Sequence, residues 1–212
     1  MIHFGRSIFI IILATVPSSL YHCVGYASGP MSQGNKMSSS KACLIAVYGS
    51  RTVSSDEQHF DEDRDLDRNG NSFACLLHMT ATQASQSISL FRRASLQDSA
   101  GSIVVAARFP ISVGETSGKN AAETPKKFQI RNATEWSTLR TRLRQSSYKK
   151  IVECADLSTV TIGGGSIPGF MIGTGNFWFA SFKSDPPVKL FAINLYPLNE
   201  KLLAAACSSS PD

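Results

Sequence analysis

The run GGGSIPGFMIGTGNFWF at residues 163–179 decides how this chain is read. So much glycine marks either a loop that cradles a phosphate or a sheet that bends. A Walker-type loop needs glycine, four residues and then Gly-Lys-Ser/Thr, and the run contains no lysine. A dinucleotide fingerprint needs Gly-x-Gly-x-x-Gly, but Gly173-Thr174-Gly175 runs on into Asn176, Phe177 and Trp178. That continuation reads as a strand, so no helix N-terminus stands ready for an anion. Ser166 is no nucleophile elbow, because Pro168 occupies the second glycine position. The glycines therefore serve bends. Residues 173–176 form a hairpin turn that demands positive φ, and 163–165 turn or kink the sheet.

Strands surround the run. Val160 and Ile162, then 170–172, 177–182 and 188–196 carry the signal, with Asp185-Pro186-Pro187 between the last two. In the final strand, alternation puts Leu190 and Ala192 on one side and Phe191, Ile193 and Leu195 on the other. Phe177-Trp178-Phe179 does not alternate, which predicts a strand covered on both faces, by helices on one and by a loop or second subunit on the other. Upstream, Thr80-x-x-Gln83 is a capping box, and Ala84, Ile88 and Phe91 follow at helical spacing. Residues 102–113 form a buried apolar element ended by Pro110, 114–125 a loop, and 128–130 a short strand. Asn132 with Glu135 then opens a second helix, with Trp136, Leu139 and Leu143 on one face. The expected fold is α+β, an antiparallel β-meander with a curved sheet packed by helices.

The N-terminus combines Arg6, a short apolar run over 7–20 and small residues at 25–27. This pattern predicts a signal peptide over 1–27, cleaved near Ala27, and no transmembrane anchor in the mature form. A flexible linker is expected over 28–40, an acidic cysteine-bounded segment over 41–78 and the α+β domain over 79–212. Losing Arg6 lowers the net charge from +5 to +4, which gives no argument for nucleic acid. Cys43, Cys75, Cys154 and Cys207 remain, an even count that suggests two disulfides in an oxidising compartment. Three connectivities exist, and the sequence-local pairs Cys43–Cys75 and Cys154–Cys207 are the expected ones.

Gly169, Met171, Ile172, Gly173, Gly175, Trp178 and Phe179 carry a resemblance. With the helices before them they look like a group of exported bacterial proteins, over residues 80–196. The resemblance implies a cystatin-like or NTF2-like layout and a cell-envelope address, and no reaction. A second resemblance lies in LDRNGNSFAC, residues 66–75, which is similar to the Excalibur calcium-binding module. Asp67, Asn69 and Asn71 fall on its three ligand positions, and Ala74 and Cys75 close the motif. Read as an EF-hand, Asp65 joins the set, which implies weak Ca2+ binding through Asp65, Asp67, Asn69 and Asn71. Two carboxylates of the module have become Asn69 and Asn71, and Ser72 replaces its turn glycine.

No residue is marked as catalytic. His59 and His78 lack a companion nucleophile, the Ser-x-x-Lys at 147–150 lacks its partner motifs, and Asp156 is no more than a conceivable pocket base. Arg140, Arg142, Arg144, Lys149 and Lys150 form a basic group that would suit an anionic partner. The expectation is a non-enzymatic exported protein that binds an envelope protein or cell-wall polymer, an inhibitor or immunity protein being one form of it. One alternative is a small-molecule pocket protein or enzyme of the NTF2-like type, with its pocket between helices and sheet. The other is a structural homo-oligomer, at its simplest a homodimer, joined through the 177–179 strand.

Overall fold

The computed structural model describes residues 33–97, 100–117, 124–163, 167–182 and 185–208. The expected signal peptide lies outside the described residues. Helix α4 (Ala81–Leu96) begins at the capping box: the Thr80 hydroxyl accepts the Gln83 N–H at 3.2 Å, and the Gln83 side chain accepts the Thr80 N–H at 2.9 Å. Asn132 caps α6 (Ala133–Arg144) by accepting the Glu135 N–H at 2.9 Å, and Trp136, Leu139 and Leu143 are its buried stripe. The other helices are α1 (Gln33–Tyr48), α2 (Ser55–Arg64), α3 (Phe73–Leu77), α5 (Ala100–Ala106), α7 (Tyr148–Cys154) and α8 (Glu200–Cys207). Among the described residues no helix is long and apolar enough to cross a membrane.

Both expected disulfides are present. Cys43 of α1 joins Cys75 of α3, and Cys154 of α7 joins Cys207 of α8, with Cα–Cα distances of 5.1 and 5.6 Å. They close loops of 32 and 53 residues, worth about 4 kcal/mol each on a chain-entropy argument.

The sheet is six-stranded and mixed, in the order β2-β1-β6-β5-β4-β3. Its strands are β1 (Ala107–Glu115), β2 (Lys126–Ile130), β3 (Thr161–Gly163), β4 (Gly169–Ile172), β5 (Phe177–Phe182) and β6 (Asp185–Leu195). Strands β3 to β6 follow one another antiparallel, as consecutive pairs, but β6 lies parallel to β1. The expected all-antiparallel sheet is therefore corrected. The chain leaves β1 and β2 through α6 and α7, and its last strand returns to the open side of β1, a long-range pairing that local pattern does not encode.

Three further expectations are corrected. Residues 33–40, expected in a linker, belong to α1, which the disulfide and a Ser40 hydroxyl donating to Asp65 hold in place. Residues 102–113 are not one element: α5 ends at Ala106 and β1 continues past Pro110. The β1–β6 register lapses between Ala107 and Ser112, so the missing Pro110 N–H breaks no ladder there. Finally, strict alternation fails in β6. A register shift opposite Trp178 and Phe179 brings Leu190 and Ile193 to the same buried face.

That face carries the core. The ring of Phe91 lies 4.8 Å from Phe177 and 5.4 Å from Phe179, Phe179 stacks on Phe170 at 5.0 Å, and Phe170 meets Phe73 edge-on at 6.1 Å. All five rings are fully buried. Phe73, Leu77 and Met79 belong to the same cluster as Phe91 and Phe170, so the cysteine-bounded segment is built into the main core and is no separate domain.

The glycines of the opening run serve the backbone. Gly173 and Gly175 turn the β4–β5 hairpin at φ +73° and +93°. A Cβ on Gly169 would lie 2.0 Å from the Phe179 carbonyl oxygen, where β4 and β5 approach most closely. Gly169→Ala is expected to cost about 3 kcal/mol or more. Gly175→Ala, strained in φ but with a Cβ meeting only Met171 Sδ at an ordinary 3.9 Å, should cost about 1–2 kcal/mol. Urea denaturation of the disulfide-bonded protein measures both, and a Gly169 variant as stable as the Gly175 variant would refute this close approach.

Candidate functional site

Residues facing away from the helices build the site. Thr161, Met171, Trp178 and Ala192 are neighbours across β3, β4, β5 and β6 in one register row, and Asn194 and Gly114 continue that face toward β1. All of these but Ala192 line an open cleft of about 590 Å³, with Arg68, Thr174 and Tyr196 contributing to its wall. Phe177 and Phe179 are covered as expected, but their neighbour Trp178 is only partly buried and faces this cleft.

Trp178 is pinned at both ends. Its indole N–H donates to the Gly175 carbonyl at 3.0 Å. Its benzo edge lies against β3, where a Cβ on Gly163 would come within 3.0 Å of the ring. The indole thus lies across the sheet as a plate fixed in orientation. The turn that holds it is itself cross-braced. Asn194 donates its side-chain amide to the Gly175 carbonyl at 2.9 Å and its backbone N–H to the Asn176 carbonyl at 2.8 Å. The buried Asn176 returns its side-chain amide to the Asn194 carbonyl at 3.2 Å. At one wall the Tyr196 hydroxyl donates to the Thr174 carbonyl at 2.8 Å, and the Tyr148 hydroxyl donates to the Tyr196 carbonyl at 2.5 Å. Burial pushes the Tyr148 phenol up to about 12, so it remains a donor.

Arg68 supplies the cleft's cationic group. One terminal nitrogen donates to the Ala205 carbonyl of α8 at 2.9 Å, and its backbone N–H donates to Val160 at 3.2 Å. Its Nε is buried without a hydrogen-bond partner among the described residues. Among the described residues, the cleft lining contains no carboxylate, imidazole or thiol.

The proposed calcium ligands are placed otherwise. Asp67 Oδ1 accepts the N–H groups of Asn69 and Asn71 at 2.9 and 2.8 Å, and Oδ2 accepts Ile162 N–H at 2.6 Å and the Asn71 amide at 3.2 Å. Asp65 accepts from the hydroxyls of Ser40 and Ser72 and from Ala74 N–H at 2.9 Å. Asn69 is exposed. Asn71 turns an N–H donor toward Asp67, where a carboxylate would need a cation between them. In this arrangement the carboxylates of Asp65 and Asp67 are occupied by protein donors, and among the described residues no group of three or more His, Cys, Asp and Glu side chains is placed to hold a metal ion. The loop keeps the closure of a cation loop with protein donors in the cation's place. Asp61 acts likewise, accepting Thr82 N–H at 2.7 Å and the Tyr48 hydroxyl at 2.9 Å. Burial raises the Asp65 carboxyl above its usual range, against the pull of its hydroxyl and amide donors.

The basic group does not assemble. Arg140 is buried and donates to the Gln97 carbonyl at 3.0 Å, Arg142 forms a bidentate pair with Glu115 of β1, and Lys149 pairs with Glu153 at 3.5 Å. Arg144 and Lys150 are exposed. Asp156 caps the turn Leu157–Thr159 through Ser158 N–H at 3.1 Å, and His59 and His78 are exposed. Sequence reasoning passed over Trp178, Arg68 and Asn194 as a site. The available signal was a tryptophan inside a glycine-rich hairpin, with no place in the helix-facing stripe. No protein-family model, curated protein or solved structure matches the chain.

Three outcomes follow. Asp67→Ala removes the acceptor of four donors and should cost about 2–4 kcal/mol, whereas calcium at a few millimolar should leave the melting temperature unchanged. A clear calcium-induced rise would overturn the closed-loop assignment. Because folding raises the Asp65 value, the fold favours its protonated form. Stability relative to Asp65→Asn should therefore fall as pH rises from the ordinary carboxylate range through the raised one. A difference that grows with pH in denaturant titrations would contradict it.

Proposed function

We propose that this chain is an exported, non-enzymatic binding protein of the periplasm or cell envelope, and that it holds its partner in the Trp178 cleft. The observation that carries this reading is the fixed indole plate on the open face of the sheet, flanked by amide, hydroxyl and guanidinium groups. Such a lining holds and orients a ligand, and it offers no carboxylate, imidazole or thiol, among the described residues, to move a proton. Two disulfides suit an oxidising compartment, in line with the N-terminal pattern of a signal peptide.

The cystatin-like or NTF2-like resemblance remains part of the proposal as a layout, without its pocket. An NTF2-like pocket between helices and sheet finds its space filled by Phe73, Phe91, Phe170, Phe177 and Phe179. An oligomer joined through the 177–179 strand would use its Trp178 face, because Phe177 and Phe179 are buried against the helices.

The test is retention of mature protein on isolated envelope material, in chelator and in calcium. Wild type should be retained in both, and Trp178→Ala should reduce retention about tenfold or more while its melting curve stays cooperative. Equal retention of a folded Trp178→Ala variant would exclude the cleft.

A further inference from the structure

The cleft's construction narrows its ligand, an inference that rests on the binding role proposed above. The cleft crosses β1, β6, β5, β4 and β3, whose facing backbone groups are already paired with each other. A peptide cannot add there as a further strand, since strand addition needs an unpaired edge. Recognition must come from side chains. The broadest of these is the Trp178 indole, fixed by Gly175 at one end and Gly163 at the other, so little order is lost when a flat ligand face settles on it. The C–H face of a pyranose ring is such a surface, apolar and nearly flat, with hydroxyls projecting around its rim.

The rim of the cleft matches those hydroxyls. Asn194 spends its amide N–H on Gly175, which leaves its Oδ1 turned toward Gly114, 3.2 Å from where a Cβ would stand. Gly114 thereby leaves open the space over which this acceptor points. Thr161 and Thr174 add hydroxyls to the lining, that of Thr174 sharing a hydrogen bond with the Tyr196 hydroxyl at 2.5 Å. The remaining feature is charge. Arg68 is the cation of the lining, with no carboxylate beside it there; α8 anchors one of its terminal nitrogens, and its Nε has no hydrogen-bond partner among the described residues. With one terminal nitrogen anchored on Ala205, the guanidinium keeps its charge at the cleft, where its remaining terminal N–H groups can meet a carboxylate.

We infer that the cleft binds an acidic saccharide, one pyranose ring stacked on Trp178 and a ring carboxylate paired with Arg68. Its open form suits a stretch of polymer, whose neighbouring units continue out of the cleft at both ends.

The experiment is calorimetric titration of the mature, disulfide-bonded protein, supported by tryptophan emission. The probes are a glucuronate-containing hexasaccharide of hyaluronan, neutral cellohexaose and polyglutamate. The hyaluronan fragment should bind and shift the emission of Trp178. Cellohexaose should bind at least about tenfold more weakly, and polyglutamate should not shift the emission. Arg68→Gln and Thr161→Glu should each weaken hyaluronan binding about tenfold or more. Thr161 faces outward, so its variant tests the site without touching the core. Equal affinity for the acidic and neutral sugars removes the Arg68–carboxylate pair, and binding of polyglutamate alone removes the saccharide. If neither sugar binds while envelope retention still depends on Trp178, the saccharide assignment falls and the cleft reading stands. If retention is also independent of Trp178, both fall.

Discussion

A continuous series of aromatic contacts holds this molecule together. It begins at Phe73 on the short helix after the acidic loop and passes edge-on to Phe170. From there it runs by stacking to Phe179, then to Phe91 on α4, and on to Phe177 and Tyr148. Each such pair adds about 0.5–1.5 kcal/mol beyond the area it buries. More important is what the series connects: the cysteine-bounded segment, both strands of the glycine-rich hairpin, and helices α4 and α7. None of these can leave without opening a gap under the others, and a close-packed interior tolerates such gaps poorly.

The division of labour across the sheet follows from that packing. Phe73, Phe91, Phe170, Phe177 and Phe179 pack the helix side of the sheet as a buried core. The open cleft lies on the opposite face, where Trp178 alternates out of the strand between Phe177 and Phe179. The hairpin turn then serves both faces. Its left-handed glycines let β4 and β5 approach, and its Gly175 carbonyl receives the indole N–H and the Asn194 amide. The acidic loop is tied into the same frame, because Asp67 receives the N–H of Ile162 on β3. Arg68, the next residue, is thereby delivered to the edge of the cleft.

What was legible in the sequence was local. The Thr80–Gln83 and Asn132–Glu135 caps, the turn at 173–176 and the near-neighbour disulfides all depend on residues whose chemistry is complete within a few positions, or on the economy of short loops. What escaped was set by distant partners. The parallel approach of β6 to β1 depends on where the chain returns after two helices. The irregular stretch around Pro110 and the register shift in β6 are adjustments to a neighbouring strand, and neither leaves a trace in periodicity. The basic residues at 140–150 looked like one surface because charge is counted along the chain. In the fold, helix geometry sends Arg140 inward to the end of α4 and Arg142 to Glu115 at the end of β1. Likewise, the spacing of Asp67, Asn69 and Asn71 gives the shape of a cation loop. Only the fold shows that Ile162 and Ala74 donate their N–H groups to the carboxylates of Asp67 and Asp65.

The account stands on the claim that the cysteine-bounded segment and the sheet share one core through Phe73 and Phe170. A double-mutant cycle of Phe73→Leu and Phe170→Leu, read by equilibrium denaturation with both disulfides intact, addresses it directly. The expected result is a single cooperative transition for every variant and a coupling energy of about 1 kcal/mol between the two rings. Additive effects, with the segment unfolding in a separate earlier transition, would contradict it.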